Sequence, residues 1–491
     1  MDRLPIVTYE HFCLALGGLL VLDWVAFLPL FRVGFTRFES AGVTVNDRGF
    51  RTLLCAVWLA AIGLWVSAVP GGRLIGSFVL TLIFHHYFIA RRWTSVRRGF
   101  GAPGFMAHWT VRAVFLIELV RHLGGPGASL DLTLAAIRWD FGWIMVCAGT
   151  YKLLAGYLRN NGMEFGRVNP VWGYHWRFFR NVSPTGWYPT LLNYLACLVE
   201  IVSGVLMLIP LPTTQWLGAV AISLSFLYVA CFIRLGRLAF LMTVLPFVFW
   251  PTVAASITAG PALGTSPWAA EPILAVLRGA LWAYMVLLPI VKVTQYCNLF
   301  LNVTLPEPFQ HWITAYANRV PIIIWRVFTA DVTDFYVRIW GGDAAGRAVE
   351  PIVVEDTYGL QGWAHPRFKL RMLHVTESIA LVSVFTTLKY FPSNRSLFED
   401  KLRRYAASLL LDWGRSYPTL RFEYFQVVKE ETRFGYAHRG DFILDLHSGE
   451  VRDDNVEPGF TFSTPAKFSP VRESVAPGSW TPKRGPAADP T

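Results

Sequence analysis

Runs of apolar residues close to bilayer length recur along the first 300 residues and then stop. A helix needs roughly 20 consecutive apolar residues to cross a hydrocarbon core. Such runs lie near 11–31, 53–69, 74–90, 109–123, 134–154, 191–209, 216–233, 238–257 and 273–291. They predict a multi-pass α-helical membrane bundle of about nine transmembrane helices over residues 1–300, the fourth run being short enough to be re-entrant.

From Pro306 onward charged residues become common and the apolar runs shorten to strand length. Residues 335–340 and 348–355 flank a Gly341-Gly342-Asp343 turn and read as a hairpin. Apolar residues at helical spacing follow over 374–389 and 397–413, and alternation returns over 421–430 and 434–446. Residues 301–452 are therefore expected to form an α+β domain of strand, helix, strand order. Residues 453–491, rich in Pro, Gly and Ser, read as a disordered tail.

Composition sharpens this. Of 491 residues 54% are hydrophobic and 16% charged, too apolar for an ordinary soluble chain. The formal charge is +11, from 44 Lys+Arg against 33 Asp+Glu. Residues 1–300 hold 22 basic and 11 acidic residues, and residues 301–452 hold 18 and 17. A nucleic-acid binder concentrates its positive charge on a folded polar domain, which here is nearly neutral, so no nucleic-acid partner is expected.

The basic residues follow the loops instead. Arg32, Arg37, Arg48 and Arg51 flank the first loop, Arg91, Arg92, Arg97 and Arg98 the third, Arg159, Arg167, Arg177 and Arg180 the fifth, and Arg234 and Arg237 the seventh. The even loops are poor in charge, offering Arg73 and Arg121. With nine spans, the positive-inside rule puts the N-terminus outside and the C-terminal domain in the cytoplasm. No small-residue cleavage site closely follows the first run, so it reads as a retained span. The six cysteines, Cys13, Cys55, Cys147, Cys197, Cys231 and Cys297, lie no closer than 34 positions apart and read as apolar packers, not as a disulfide or zinc framework.

Ionisable groups at membrane depth are costly and face a bundle interior or a water-filled cavity, which makes them the candidate chemistry. They are Asp23, Glu118, Asp140, Lys152 and Glu200, with His85 and His86 near the end of the third run and His108 and Arg112 in the fourth. An amine desolvated within a bundle loses charge stabilisation and becomes a usable base, which favours Lys152. Its position near the end of a run also suits a snorkelling anchor. Glu200 sits in the middle of its run and suits an internal ion pair or a bonded carboxyl equally well. Arg138 and Asp140 read as interfacial. Adjacent helical side chains such as His85 and His86 point about 100° apart, so they make no i, i+4 metal pair, and no metal is expected.

The stretch Ile137-Arg138, then Ala148-Gly149-Thr150-Tyr151-Lys152-Leu153, resembles the core of the vitamin K-dependent gamma-carboxylase and its bacterial relatives, the HTTM-domain proteins. In the carboxylase this stretch carries two successive lysines, of which the second is the proposed base toward reduced vitamin K. That second lysine falls on Lys152. The first is Tyr151 here, the following aspartates are Leu154 and Gly156, and the tryptophan is Tyr157. The aromatic stretch 172–179, the span count and Trp325-Arg326-Val327-Phe328 ahead of the α+β region also look like the family, loosely over residues 10–450.

The resemblance implies a bacterial inner-membrane enzyme in which a lysine deprotonates a reduced, vitamin K-like quinone before oxygen adds. Lys152, Glu118, Glu200, His85 and His86 are then the candidate catalytic residues, and Tyr151, Tyr157, Trp172 and His175 the candidate substrate-binding ones. Protein carboxylation itself is not expected, because the region after Pro306 is short for binding a propeptide and glutamate. The resemblance also puts the polar domain on the extracytoplasmic side, against the arginine alternation. Three function classes remain: a quinol- or lipid-linked oxidoreductase, a non-catalytic membrane scaffold or maturation partner for a small peptide or lipid, and a transporter, which should show discontinuous helices and paired half-repeats.

Overall fold

The computed structural model describes residues 7–32, 38–40, 43–45, 48–67, 69–90, 101–124, 127–158, 162–258, 267–301, 303, 305–322, 330–355, 376–413 and 416–462. Helix α1 is Tyr9–Arg32, followed by a small antiparallel hairpin of β1, Phe38–Ser40, and β2, Val43–Val45. Then come α2, Arg48–Val66, and α3, Gly72–Phe84, which runs on as a π-helical turn over His85–Ala90. Helices α4, Gly101–His122, and α5, Ala128–Leu154, form the next hairpin. Two short helices, α6 at Gly162–Val168 and α7 at Trp176–Phe179, precede α8, Trp187–Leu208, and α9, Pro212–Phe232. Helix α10, Arg237–Val244, continues as a 3-10 turn, Leu245–Phe249, before α11, Pro251–Thr258, and the long α12, Pro267–Leu301.

Among the described residues, four helices are long and apolar enough to cross a membrane, over Ser129–Leu154, Trp187–Leu208, Pro212–Phe232 and Ala270–Leu301. The bent pair Arg237–Phe249 and Pro251–Thr258, broken by 66°, makes a fifth if it is one span. The break falls where Pro246 and Pro251 remove backbone donors. Thr52–Val66 and Gly72–Phe84 are apolar but shorter, and α4 carries Arg112, Glu118 and Arg121 within its length.

Helix α8 is inverted relative to a helix on a water-soluble core. It buries Asn193, Cys197, Glu200, Ser203 and Gly204, while Leu191, Leu195, Leu198, Val202 and Val205 are exposed. An apolar outside over a polar inside is the arrangement that hydrocarbon favours. Small residues let α5 and α8 approach. A Cβ on Gly149 would lie 2.6 Å from Ile201 Cγ1, and one on Gly204 would lie 2.7 Å from Val146 Cγ2. Contact at that range is how helices associate where no hydrophobic effect drives them together.

After α13, Glu307–Arg319, and the single turn α14, Ala330–Thr333, the chain forms a five-stranded antiparallel sheet of order β4-β3-β5-β6-β7. Its strands are β3 Phe335–Gly342, β4 Ala348–Val353, β5 Thr419–Lys429, β6 Phe434–Asp445 and β7 Val451–Asp454. Helices α15, Thr376–Tyr390, and α16, Arg395–Trp413, stand between β4 and β5 and cover one face, where Phe385 meets Phe398, Phe422, Tyr424 and Phe442. The strand, helix, strand order matches the sequence pattern.

Residues beyond Asp453 contribute to this core. Phe462 stacks edge-on to Tyr424 at 5.0 Å and lies 5.5 Å from Phe442. The composition of 453–491 predicts a disordered tail, but 453–462 is described and packs on the sheet; residues 463–491 and the stretch Trp325-Arg326-Val327-Phe328 lie outside the described residues, as do Arg37, Arg91, Arg92, Arg97, Arg98 and Arg159.

Candidate functional site

Helix α5 ends with a left-handed glycine. Gly156 has φ 76°, its N–H donates to Leu153 O at 3.2 Å, and Tyr157 N–H donates to Lys152 O at 3.0 Å. That pairing satisfies the last carbonyls of the helix and needs a residue that tolerates positive φ. It turns Tyr157 back toward the helix, so that Lys152 Nζ lies 5.7 Å from the centre of its ring. Gly156 thus supplies the turn that covers the lysine.

Lys152 Nζ lies 2.6 Å from Glu200 Oε1, and the two side chains are 8% and 5% exposed. Glu200 is 13 residues into α8, so the pair lies about 20 Å along the helix from Trp187. The amine is thus engaged by a carboxylate within the bundle and is not a free anchor at a helix end. Glu200 Oε2 is buried with no hydrogen-bond partner among the described residues. Tyr151 is buried beside the pair on α5, its ring 5.5 Å from Phe300 of α12.

Of the sequence candidates, the structure therefore gathers Tyr151, Lys152, Tyr157 and Glu200. It separates the others. Glu118 lies near the opposite end of the α4–α5 hairpin, where its carboxylate meets Arg121 at 3.2 Å and Arg73 at 3.4 Å. About 36 Å of helix runs from Ala128, beside that end, to Lys152. His85 and His86 lie on the π-helical turn, with the His85 ring 5.4 Å from that of His108. Trp172 is buried, and its carbonyl accepts Arg234 N–H at 2.6 Å. His175 is exposed, its ring 6.4 Å from Phe232. Among the described residues no group of three His, Cys, Asp or Glu side chains could hold a metal.

Other buried charges are paired across helices. Asp23 meets Arg237 Nε at 3.0 Å. Asp140 accepts from Trp109 Nε1 at 2.9 Å and Arg112 Nη2 at 3.1 Å, while Arg138 donates to Val248 O at 2.9 Å. Asp140 and Arg138 hold helices together within the bundle, where the sequence suggested an interface.

The segment between Lys152 and Glu200 is held by the sheet domain. Asn169 Nδ2 donates to Thr333 O at 2.8 Å and Phe335 O at 2.6 Å, Tyr436 Oη donates to Val168 O at 2.5 Å, and Phe434 N–H donates to Arg180 O at 2.8 Å. In α6, Glu164 accepts from Asn193 Nδ2 at 2.5 Å, and the Arg167 guanidinium lies 3.6 Å over Phe179 and 5.0 Å from Tyr188. Across this junction, on β5, burial holds the Lys429 amine below its ordinary pKa, against the pull of Glu164.

Sequence reasoning missed Asn169, Glu164 and Asn193, which are ordinary polar residues until the fold encloses them. It read Arg167, Arg234 and Arg237 as loop markers, yet these are 1%, 4% and 4% exposed. An arginine counted as a topology signal and an arginine stacked on Phe179 look identical in a linear chain. Lys292, buried on α12, lay at the edge of an apolar run and gave no stronger signal. Comparison of the chain with family models, curated proteins and solved structures gives no match.

Proposed function

We propose that this chain is a multi-pass membrane protein of carboxylase-like, HTTM-type architecture. Its centre is the Lys152–Glu200 pair, acting as a proton-transferring site in a quinol- or lipid-linked oxidation. One observation carries the reading: an amine and a carboxylate in contact inside the bundle, with Glu200 Oε2 buried and unpartnered. Buried polar atoms are satisfied in most folded proteins; Glu200 Oε2 is one of several here without a hydrogen bond, and what sets it apart is the amine held by the other oxygen of the same carboxylate. Glu200 Oε2 suits acceptance of a hydrogen bond, and then of the proton, from the hydroxyl of a reduced, vitamin K-like quinone or of a lipid, and Lys152, as the paired ammonium, would hold that carboxylate and stabilise the anion that forms. Tyr151 and Tyr157 would form the apolar walls.

The nine crossings of this proposal are α1, α2, α3, α4, α5, α8, α9, the bent α10–α11 pair and α12. Two sets of contacts support the parity. Tyr9 N–H donates to Ser256 Oγ, and Arg73 meets Glu118, so the N-terminus and the even loops gather at one end. The sheet domain docks on the fifth loop through Arg180 and Asn169. Arg167, Arg234 and Arg237 are buried, so the positive-inside rule rests on the remaining arginines of the first, third and fifth loops, and these put the sheet domain in the cytoplasm.

A second reading, the non-catalytic scaffold or maturation partner, is favoured by space. One cavity among the described residues is about 10 Å³, room for about one water. It is lined by apolar residues such as Phe12, Leu16, Trp109 and Val248, and touches neither Lys152 nor Glu200. A drug-sized ligand needs some 300 Å³, far more than this cavity offers. The test is oxygen-dependent oxidation of a reduced naphthoquinone by detergent-purified protein, with epoxide followed by mass spectrometry and Lys152→Ala and Lys152→Arg run alongside. Epoxide formed by the wild type and lost in Lys152→Ala supports the first reading. No epoxide from a folded, monodisperse wild type supports the scaffold.

A further inference from the structure

Helix α13, which follows the last long apolar helix, divides into three sectors. Ile313 and Ala317 are buried against Leu288 and Val291 of α12. Glu307, His311 and Thr314 are exposed on a second side. Between these, at i and i+3, Phe309 is 63% exposed and Trp312 48% exposed, with the Trp312 ring stacked on Tyr316 at 5.5 Å. At 100° per residue, Phe309 and Trp312 point away from the Glu307, His311 and Thr314 side. A contiguous exposed apolar patch of this kind marks a contact with a protein or a membrane.

The exposed rings continue an apolar strip. Val286, Ile290 and Val293 of α12 recur at helical spacing on its outer side, each more than half exposed, and Leu301 and Val303 extend the strip toward α13. On a helix apolar enough to cross a membrane, that strip is the side that faces lipid.

We propose that α13 is an in-plane membrane anchor, with Phe309 and Trp312 sunk into the headgroup and upper acyl layer of the leaflet that α12 leaves, and Glu307, His311 and Thr314 toward water. Aromatic rings with an apolar body favour that layer, and a helix with one apolar and one polar side lies flat in it. The anchor fixes the level of residues 305–322 ahead of the sheet domain. It rests on the membrane reading above and is independent of the chemistry at Lys152.

The experiment places an environment-sensitive fluorophore on a cysteine introduced at Trp312, His311 or Val286 of the full chain in lipid nanodiscs. The protein without an introduced cysteine is labelled as background, and Phe309→Cys serves as a second site should Trp312→Cys fail to fold. The expected result is a blue-shifted emission at 312, quenched by lipids carrying a nitroxide near the headgroup and protected from aqueous iodide. The 311 label should be quenched by iodide. Iodide quenching at 312 equal to that at 311 overturns the proposal, and so does a 312 label quenched by neither agent, which would mean a protein partner. The 286 label separates the two readings: if lipid nitroxides quench 286 but not 312 the anchor alone fails, and if they quench neither the membrane reading fails with it.

Discussion

Glu200 reaches Lys152 from the middle of α8, at 2.6 Å, and the two residues are 48 positions apart in the chain. Removing one member strands the other charge in a bundle where water does not replace it. Breaking such a buried pair costs about 3–5 kcal/mol, whereas replacing both members with apolar residues of similar size is near neutral. Lys152→Met and Glu200→Gln should therefore each lower the thermal unfolding temperature in detergent, and Lys152→Met/Glu200→Met should recover most of the loss. A double variant as unstable as the worse single variant would contradict the pairing.

The register that brings the pair together depends on Gly149, one turn before Lys152. A valine there would place carbon within 3 Å of Ile201 and of the Cys197 carbonyl, and overpacking costs about 1–3 kcal/mol. Gly149→Val should lower thermal stability and shift α8 against α5. A disulfide-trapping series between α5 and α8 in membranes reads the shift as a changed pattern of cross-linked positions.

The strands were legible in the sequence because alternation and a Gly341-Gly342-Asp343 turn are local signals. The apolar helices were legible for the same reason, and Lys152 and Glu200 stood out as charges in apolar runs. Their contact was not legible, because it depends on the face that α8 presents and on glycines that let two helices approach. Nor was the separation of Glu118 from Lys152, which follows from α4 and α5 being antiparallel. The roles of Arg167 and Arg237 were hidden because burial by Phe179 or pairing with Asp23 leaves no mark on the residue itself.

Asn169 ties the helical part to the sheet through two backbone carbonyls. Replacing it with alanine leaves Thr333 and Phe335 without that donor, at a cost of about 1–3 kcal/mol where water cannot substitute. Asn169→Ala should raise amide exchange in residues 330–337 and 165–172 together, read by hydrogen–deuterium exchange mass spectrometry. Exchange confined to position 169 would mean that the two parts are not coupled there.

Strong acid should loosen the β3–β4 turn. Asp343 Oδ1 accepts N–H bonds from Arg347 and Ala345, each at 2.9 Å, and the Arg347 N–H leads in holding its carboxyl below the usual 3.8. A carboxyl depressed in the folded state stabilises it above its unfolded pKa, and the contribution is lost as pH falls through the folded value. After correction for intrinsic rates, protection of the Ala345 and Arg347 amides should hold at neutral pH and fall below about pH 4. Asp343→Asn should remove that dependence.

The central claim is that the Lys152–Glu200 pair performs proton chemistry and does more than join two helices. Lys152→Met/Glu200→Met tests it most directly, since it keeps the packing while removing both ionisable groups. The measurement is oxygen-dependent oxidation of a reduced naphthoquinone by this double variant beside the wild type, both matched for monodispersity and unfolding temperature. Turnover by the wild type that is abolished in an equally stable double variant is the predicted result. Equal turnover in the two proteins, or none in either, would contradict it.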